Sequence, residues 1–179
     1  MTVCGIGINN TPVIRQFVRC GAQVTACDKR SREQLGNVAG ELEQLGVRLQ
    51  LGEEYLEQLE GDMILRTPGM KPYLPQLMDA RSRGITVTSE MELFMDLCPA
   101  PLYAVTGSDG KSTTTTIIAG LLEAAGRKVF LGGNIGRPLL PLVEEIAPED
   151  AAVVELSSFQ LTMMKQSPHV AVVTNVAPN

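Results

Sequence analysis

Leu102-Tyr103-Ala104-Val105-Thr106-Gly107-Ser108-Asp109-Gly110-Lys111-Ser112-Thr113 is the stretch whose reading decides the fold. An apolar run ends in a glycine turn and passes through a lysine and hydroxyl residues. Ile117, Ile118, Leu121 and Leu122 then follow at helical spacing. Strand, tight turn and helix in that order bring backbone N–H groups together at a helix N-terminus, where an anion is favoured. In such a phosphate cradle Lys111 is expected to reach β- and γ-phosphate oxygens, and the Ser112 hydroxyl to hold Mg²⁺. The usual spacing asks for glycine at 105 and finds Val105. Thr113 to Thr116 are poor helix formers that a purely structural first turn has little reason to use, which favours the nucleotide reading over an ordinary turn.

Outward from this junction, short apolar runs alternate with longer amphipathic ones, as when parallel strands are joined by crossover helices. The chain reads as α/β, with a Rossmann-like N-terminal domain built on a mainly parallel sheet and then a truncated P-loop ATPase-type α/β domain. Strands are expected near 2–6, 23–27, 47–51, 62–66 and 85–88, and helices near 12–20, 32–45, 72–83 and 89–97. Thr11 before Pro12 reads as a cap with a first-turn proline, and Ser31 with Gln34 as a capping box. Cys98-Pro99-Ala100-Pro101 cannot continue a helix, so the domains are expected at 1–97 and 98–179. Beyond it come a strand at 102–106, a helix at 111–125, a strand at 128–131, a glycine turn at 132–136, a helix near 138–145 and strands at 151–156 and 170–174. The second domain is expected to be incomplete, since its last strand has no covering helix.

The 179 residues are 44% hydrophobic and 20% charged, which excludes a disordered chain. A net charge of -5 has the wrong sign for holding nucleic acid by phosphate neutralisation. No apolar run approaches a membrane span and no leader-like start is seen, so a cytoplasmic protein without a membrane partner is expected. Cys4, Cys20, Cys27 and Cys98 form neither a disulfide framework nor a zinc pattern and read as reduced, mostly buried thiols. One histidine, His169, leaves little material for a hydrolase triad and reads as structural. Seven methionines, among them Met70, Met78, Met91 and Met95, read as core filler.

Three further features carry chemistry. Asp150-Ala151-Ala152-Val153-Val154-Glu155 is a buried-type strand with an acid at its C-terminal end, where ligands of parallel sheets collect. Glu155 is therefore a candidate Mg²⁺ ligand, against the plainer reading of a solvent-facing glutamate. Gly5-Ile6-Gly7-Ile8-Asn9-Asn10, with Asp28 ending the next strand, resembles a dinucleotide fingerprint whose third glycine is Asn10. It delivers N–H groups to a pyrophosphate, which NAD and a UDP-sugar both have. Thr67-Pro68-Gly69 is a rigid turn at another strand end, equally readable as a plain loop.

The middle motifs converge on a family. Gly107-Ser108-Asp109-Gly110-Lys111-Ser112-Thr113, Gly132-Gly133-Asn134-Ile135-Gly136, Glu155-Leu156-Ser157-Ser158-Phe159-Gln160-Leu161 and Thr174-Asn175-Val176, in this order and spacing, resemble the ATPase domain of the Mur ligases. The Glu155 to Leu161 string and Ser89-Glu90-Met91-Glu92-Leu93-Phe94 resemble the branch that adds D-glutamate to UDP-N-acetylmuramoyl-L-alanine. The resemblance runs along the whole chain, with Asp109 where the family usually has asparagine and Asn10 where its first turn has a third glycine.

The resemblance implies an ADP-forming ligase of peptidoglycan precursor synthesis that uses ATP and Mg²⁺. Gly107, Ser108, Asp109, Gly110, Lys111, Ser112 and Thr113 would bind the nucleotide, Ser112, Thr113 and Glu155 the metal, and Lys111 and Glu155 would be catalytic. Ile8 and Asn9 would face the substrate's pyrophosphate, Lys29 and Arg30 its uridine, and Thr67, Pro68 and Gly69 would line the same cleft. Asn134, Ser157 and Gln160 match positions near its sugar and phosphates. A histidine, a carbamylated lysine and the D-glutamate-binding domain would follow Asn179, so the chain is expected to be a fragment inactive by itself, and the whole protein a monomer. An NAD(P)-dependent oxidoreductase would use the first turn but leave Lys111 and Glu155 idle. A non-catalytic nucleotide-sugar-binding module is compatible with a truncated chain.

Overall fold

The structure, a computed structural model, describes residues 1–177; Pro178 and Asn179, at the end of the second expected domain, lie outside the described residues. The chain divides into two compact units, Met1–Glu90 and Met91–Asn179.

In the first unit, strands β1 (Thr2–Cys4), β2 (Thr25–Asp28), β3 (Arg48–Leu51), β4 (Met63–Arg66) and β5 (Thr86–Ser89) form a wholly parallel sheet in the order β3-β2-β1-β4-β5. The strand order reverses at β1 and β4, so the turns that follow these two strands flank the crevice where such sheets take ligands. Helix α1 (Asn10–Arg19) follows β1. It starts earlier than expected because Asn9 already has helical backbone angles. Thr11 is therefore not the cap; its hydroxyl and N–H both donate to the Gly7 carbonyl, each at 2.9 Å. The helix expected over 32–45 is two helices, α2 (Arg32–Leu35) and α3 (Asn37–Gln44), broken where Gly36 takes φ 58°. The capping box of Ser31 and Gln34 is present. Helix α4 (Pro75–Ser82) places Leu77 and Ala80 in a core with Cys4, Cys27, Leu56, Leu59, Ile64 and Met70.

The second unit opens with most of α5 (Glu90–Leu97), which buries Met91, Phe94 and Met95. Strands β6 (Leu102–Thr106), β7 (Val129–Gly133), β8 (Ala151–Glu155) and β9 (Val170–Val173) form a second parallel sheet in the order β7-β8-β6-β9. Every residue of β8 is buried, which is why it reads as an unbroken apolar run; burying Val153 and Val154 contributes about 2 kcal/mol each. Helix α6 (Lys111–Ala124) packs on β6, β7 and β8. The helix expected near 138–145 is a 3₁₀ segment, Leu140–Glu145, tightened by Pro141 at its start. A short helix not expected from sequence, α7 (Ser158–Leu161), follows β8.

All four cysteines are free, but only Cys4 and Cys27 are buried; Cys20 is exposed. Cys4 and Cys27 face each other in register on β1 and β2. The hydrogen bond with Cys27, and then burial, push the Cys4 thiol far above its ordinary range. Met70, Met91 and Met95 fill core as expected, whereas Met78 is largely exposed. His169 is structural, its Nδ1 accepting the Leu102 N–H at 3.1 Å.

Candidate functional site

In the second unit, β6 ends at Thr106 and the chain turns through Gly107–Asp109 to Gly110, whose φ of 77° swings it into α6. Val105 lies inside β6 and is fully buried, so the loop is shorter than the standard phosphate loop and the expected glycine has no place there. The first-turn N–H groups of α6, at Lys111, Ser112 and Thr113, have no intrahelical acceptors by the nature of a helix start, and the helix dipole points positive there.

Two of the loop N–H groups expected to face an anion are already bonded. Ser108 N–H donates to the Asn175 carbonyl and to its Oδ1, both at 3.1 Å, and Asp109 N–H donates to the same Oδ1 at 2.9 Å. The Lys111 ammonium lies over the loop, donating to the carbonyls of Gly107 at 2.8 Å and Ser108 at 2.9 Å. It is thus held at this turn by two neutral acceptors and, among the described residues, forms no ion pair with a carboxylate.

Glu155 ends β8 beside this turn. It is 2% exposed, which removes the reading of a solvent-facing glutamate. Ser112 Oγ donates to Glu155 Oε2 at 2.6 Å, and Asn134 Nδ2 donates to Oε1 at 2.9 Å. The backbone fixes this meeting as well: Asn134 N–H donates to the Glu155 carbonyl at 2.8 Å. Gly133, at φ 96°, approaches so closely that a Cβ there would lie 2.2 Å from that oxygen. Glycine is required at 133 by geometry and by space alike.

Ser112 and Glu155 therefore offer two hard oxygen donors within hydrogen-bond distance, and Thr113 is exposed one residue further along α6. No cluster of three or more His, Cys, Asp or Glu side chains exists among the described residues. That donor set does not suit a metal caged by protein alone. It fits Mg²⁺, which keeps several waters and is held by one or two protein oxygens plus phosphates. Ser157 and Gln160, expected near a substrate, are joined to each other in the capping box of α7, with Ser157 N–H donating to Gln160 Oε1 at 2.8 Å.

The first unit has its own glycine turn after β1. Asn10, in place of a third glycine, is buried and donates from Nδ2 to the carbonyls of Gly5 at 2.9 Å and Cys4 at 3.2 Å, closing the turn that glycine packing would otherwise close. The Thr67 turn lies against it, since a Cβ on Gly5 would sit 3.4 Å from the Thr67 side chain. Ile8 is 89% exposed, and Asn9 is exposed beside it.

Asp28, at the end of β2, is occupied from within the chain. Oδ2 accepts from Ile6 N–H at 2.7 Å and Arg30 Nη2 at 2.8 Å, and Oδ1 accepts from Arg30 N–H and Nε, each at 2.9 Å. These four donors fill the roughly four lone-pair sites of a carboxylate. A ribose hydroxyl, which a dinucleotide would place on this acid, has no acceptor left. Burial pushes the Asp28 carboxyl up, but the hydrogen bonds from Arg30 and Ile6 outweigh it and hold the group below its ordinary value. Arg30 also donates to the Ile6 carbonyl, so it braces the turn. Lys29 is exposed and pairs with Glu53 at 3.5 Å.

Sequence reasoning did not anticipate the work of Asn175, Thr174 or Asn10 as braces, nor a fully buried arginine, Arg66, at the end of β4. The only signal for the first two was their membership of the Thr174-Asn175-Val176 string.

Residues 105–179 match the family model of the Mur ligase middle domain. A UDP-N-acetylmuramoylalanine--D-glutamate ligase from Symbiobacterium thermophilum is 54% identical over 178 residues, which are 99% of this chain and 39% of that protein. The ligase of the same name from Ruminiclostridium cellulolyticum is 52% identical over 180 residues, covering 100% of this chain and 39% of its own. The chain thus spans 39% of the length of these curated relatives. Among solved structures, UDP-N-acetylmuramate-alanine ligase from Thermotoga maritima aligns with a TM-score of 0.55 at 21% identity, over 99% of this chain and 41% of that one. A murein peptide ligase from Psychrobacter arcticus aligns at 0.51 and 19%, over 99% and 43%. At such identities the likeness speaks for the α/β fold alone.

Proposed function

We propose that this chain is the part of a D-glutamate-adding ligase of the Mur ligase family that takes the nucleotide-linked substrate and ATP. The first unit would receive the UDP end of UDP-N-acetylmuramoyl-L-alanine at the braced turn of Ile8 and Asn9, next to Thr67, Pro68 and Gly69. The second would receive ATP at Gly107 to Thr113. The observation that carries this reading is the meeting of Lys111, Ser112 and Glu155 at one end of a parallel sheet, with a 2.6 Å hydrogen bond between Ser112 and Glu155.

The whole protein's reaction is then an amide synthesis in two steps. The alanyl carboxylate attacks the γ-phosphorus of ATP, forming an acyl phosphate as ADP leaves. The amine of D-glutamate attacks the acyl carbon, the tetrahedral adduct expels phosphate, and the amine's proton passes to solvent. Lys111 would shift from its loop carbonyls to the phosphate oxygens and offset the charge that gathers there. Mg²⁺, held by Ser112 with Glu155 and Thr113 nearby, would neutralise phosphate charge when bound. Asn134 keeps one carboxylate oxygen of Glu155 oriented. No side-chain nucleophile is needed.

The UDP-muramoyl substrate has a pyrophosphate for the first unit, and the filled coordination of Asp28 argues for it over a nicotinamide dinucleotide. No helix among the described residues is long and apolar enough to cross a membrane. The test is ADP formation by the whole protein. It should require UDP-N-acetylmuramoyl-L-alanine and D-glutamate together and be lost in Lys111→Ala. Turnover that ignores D-glutamate, or that survives loss of Lys111, would refute the assignment.

A further inference from the structure

We infer that Thr174 and Asn175 are positioning residues for the phosphate loop: they fix the shape of Gly107–Asp109 from outside, so that the loop keeps its form when Lys111 leaves it. The inference rests on the nucleotide reading for its consequence but not for its geometry.

The loop backbone is held on both of its polar sides. Its carbonyls at Gly107 and Ser108 receive Lys111. Its N–H groups at Ser108 and Asp109 converge on a single oxygen, Oδ1 of Asn175. Thr174 adds a third attachment, its Oγ1 lying 2.6 Å from the Asp109 carbonyl and 3.2 Å from that of Thr106. The fit leaves no slack, because a Cβ on Gly107, at φ 138°, would lie 2.1 Å from Thr174 Oγ1. Ser108 Oγ and the Ala177 backbone close the clasp, with Ala177 N–H donating to that hydroxyl at 2.9 Å.

Of these attachments, that of Lys111 is the one a phosphate competes for, because two of the three N–H donors of its ammonium are spent on the loop carbonyls. Without the Asn175 side chain the release of Lys111 would leave the Asp109 N–H without its acceptor and the Ser108 N–H with the main-chain carbonyl of residue 175 alone. The carboxamide is neutral, so it loads two N–H groups without placing a negative charge beside the anion. The phosphate is then left to the N–H groups of the first turn of α6, which Asn175 does not touch.

The test measures amide exchange across residues 107–113 and ADP affinity, with Mg²⁺, in this chain and its variants. Asn175→Ala should abolish protection at Asp109, lower it at Ser108, which keeps the main-chain carbonyl of residue 175, and weaken ADP about tenfold, the size expected for losing one or two modest hydrogen bonds to a loop. Asn175→Asp keeps the acceptor oxygen, so it should restore protection. Its new charge should keep ADP affinity low, with a deficit that shrinks as salt is added. Thr174→Val should loosen the loop and Thr174→Ser should recover it. A merely structural role would lower the melting temperature and leave ADP affinity at lower temperature untouched.

Protection unchanged in Asn175→Ala overturns the inference, as does ADP affinity within twofold of wild type in a folded variant. If Asn175→Ala does not fold, Asn175→Asp decides by its salt dependence: a salt-insensitive affinity equal to wild type overturns the inference. If the wild-type chain binds no ADP, the nucleotide reading fails, and exchange alone judges the clasp: protection lost in the variant supports it, and protection kept refutes it.

Discussion

The molecule contains two glycine turns of the same plan, each following the first strand of a parallel sheet and opening a helix, and they are braced by opposite chemistry. The turn after β1, closed by the Asn10 carboxamide, is held from its other side by an ion pair, with Asp28 and Arg30 spanning the Ile6 backbone. The turn after β6 is held by neutral groups, Asn175 and Thr174, while its cation, Lys111, sits on carbonyls that it can leave. On the proposed function, the contrast separates holding a phosphate from acting on one. A turn whose cation is locked to a carboxylate can offer N–H groups but no mobile charge. A turn braced by a carboxamide keeps its ammonium available and has a buried acid, Glu155, within reach of its hydroxyl.

The comparison can be broken first at the glycines. Gly107→Ala drives a methyl into Thr174 at a backbone angle that side chains avoid, and should cost the second unit about 3 kcal/mol, read by urea denaturation. Gly7→Ala meets nothing within 4 Å, and should change the first unit by less than about 0.5 kcal/mol. Equal costs would mean that the two turns are not differently packed.

Removing the mobile charge comes next. Lys111→Ala should weaken ATP·Mg²⁺ about 100-fold by calorimetry, as the loss of charge-assisted bonds to phosphate implies, with no effect on UDP-N-acetylmuramoyl-L-alanine binding at the first turn. Equal loss of both ligands would erase the distinction. Glu155→Gln keeps the shape of the side chain and removes its charge. It should reduce the gain in ATP affinity that Mg²⁺ confers by about tenfold, leaving metal-free binding unchanged.

The smallest effect sharpens the first turn's side of the contrast. Because the folded state holds the Asp28 carboxyl below its ordinary value, the unfolded chain binds more protons in acid. The stabilisation is therefore complete above the ordinary aspartate pKa, about 4, and fades as pH falls through the lower folded value. Exchange of the Ile6 N–H should quicken over that window in the wild type and be already fast, with no such pH step, in Asp28→Asn. No corresponding acid step is expected from the neutral brace at Ser108 and Asp109.

Much of this was legible along the chain because the signals are local. Val153 and Val154 announce a strand buried on both faces, and Ser31 with Gln34 a helix start, through neighbours a few residues away. Lys111, Ser112 and Glu155 could be nominated because a parallel sheet brings strand C-termini to one end. The braces could not. Asn175 meets Ser108 across a separation of 67 positions, and one carboxamide in a polar segment has no pattern that marks its partner. Thr11 misled because capping chemistry is common in residues that a turn has already made helical, and Gly36 because a helix-compatible run hides a single positive φ.

The pairing of the strands also dictates an order of birth. On the ribosome, β1 finds both of its neighbours once Arg66 has emerged, and the whole first sheet is available by Ser89. Strand β6 has no partner until β8 is made, nearly fifty residues later, and its other edge waits for β9. An apolar strand is thus left bare during translation of the second unit, and chaperone occupancy of nascent chains should peak between the synthesis of Thr106 and Val173.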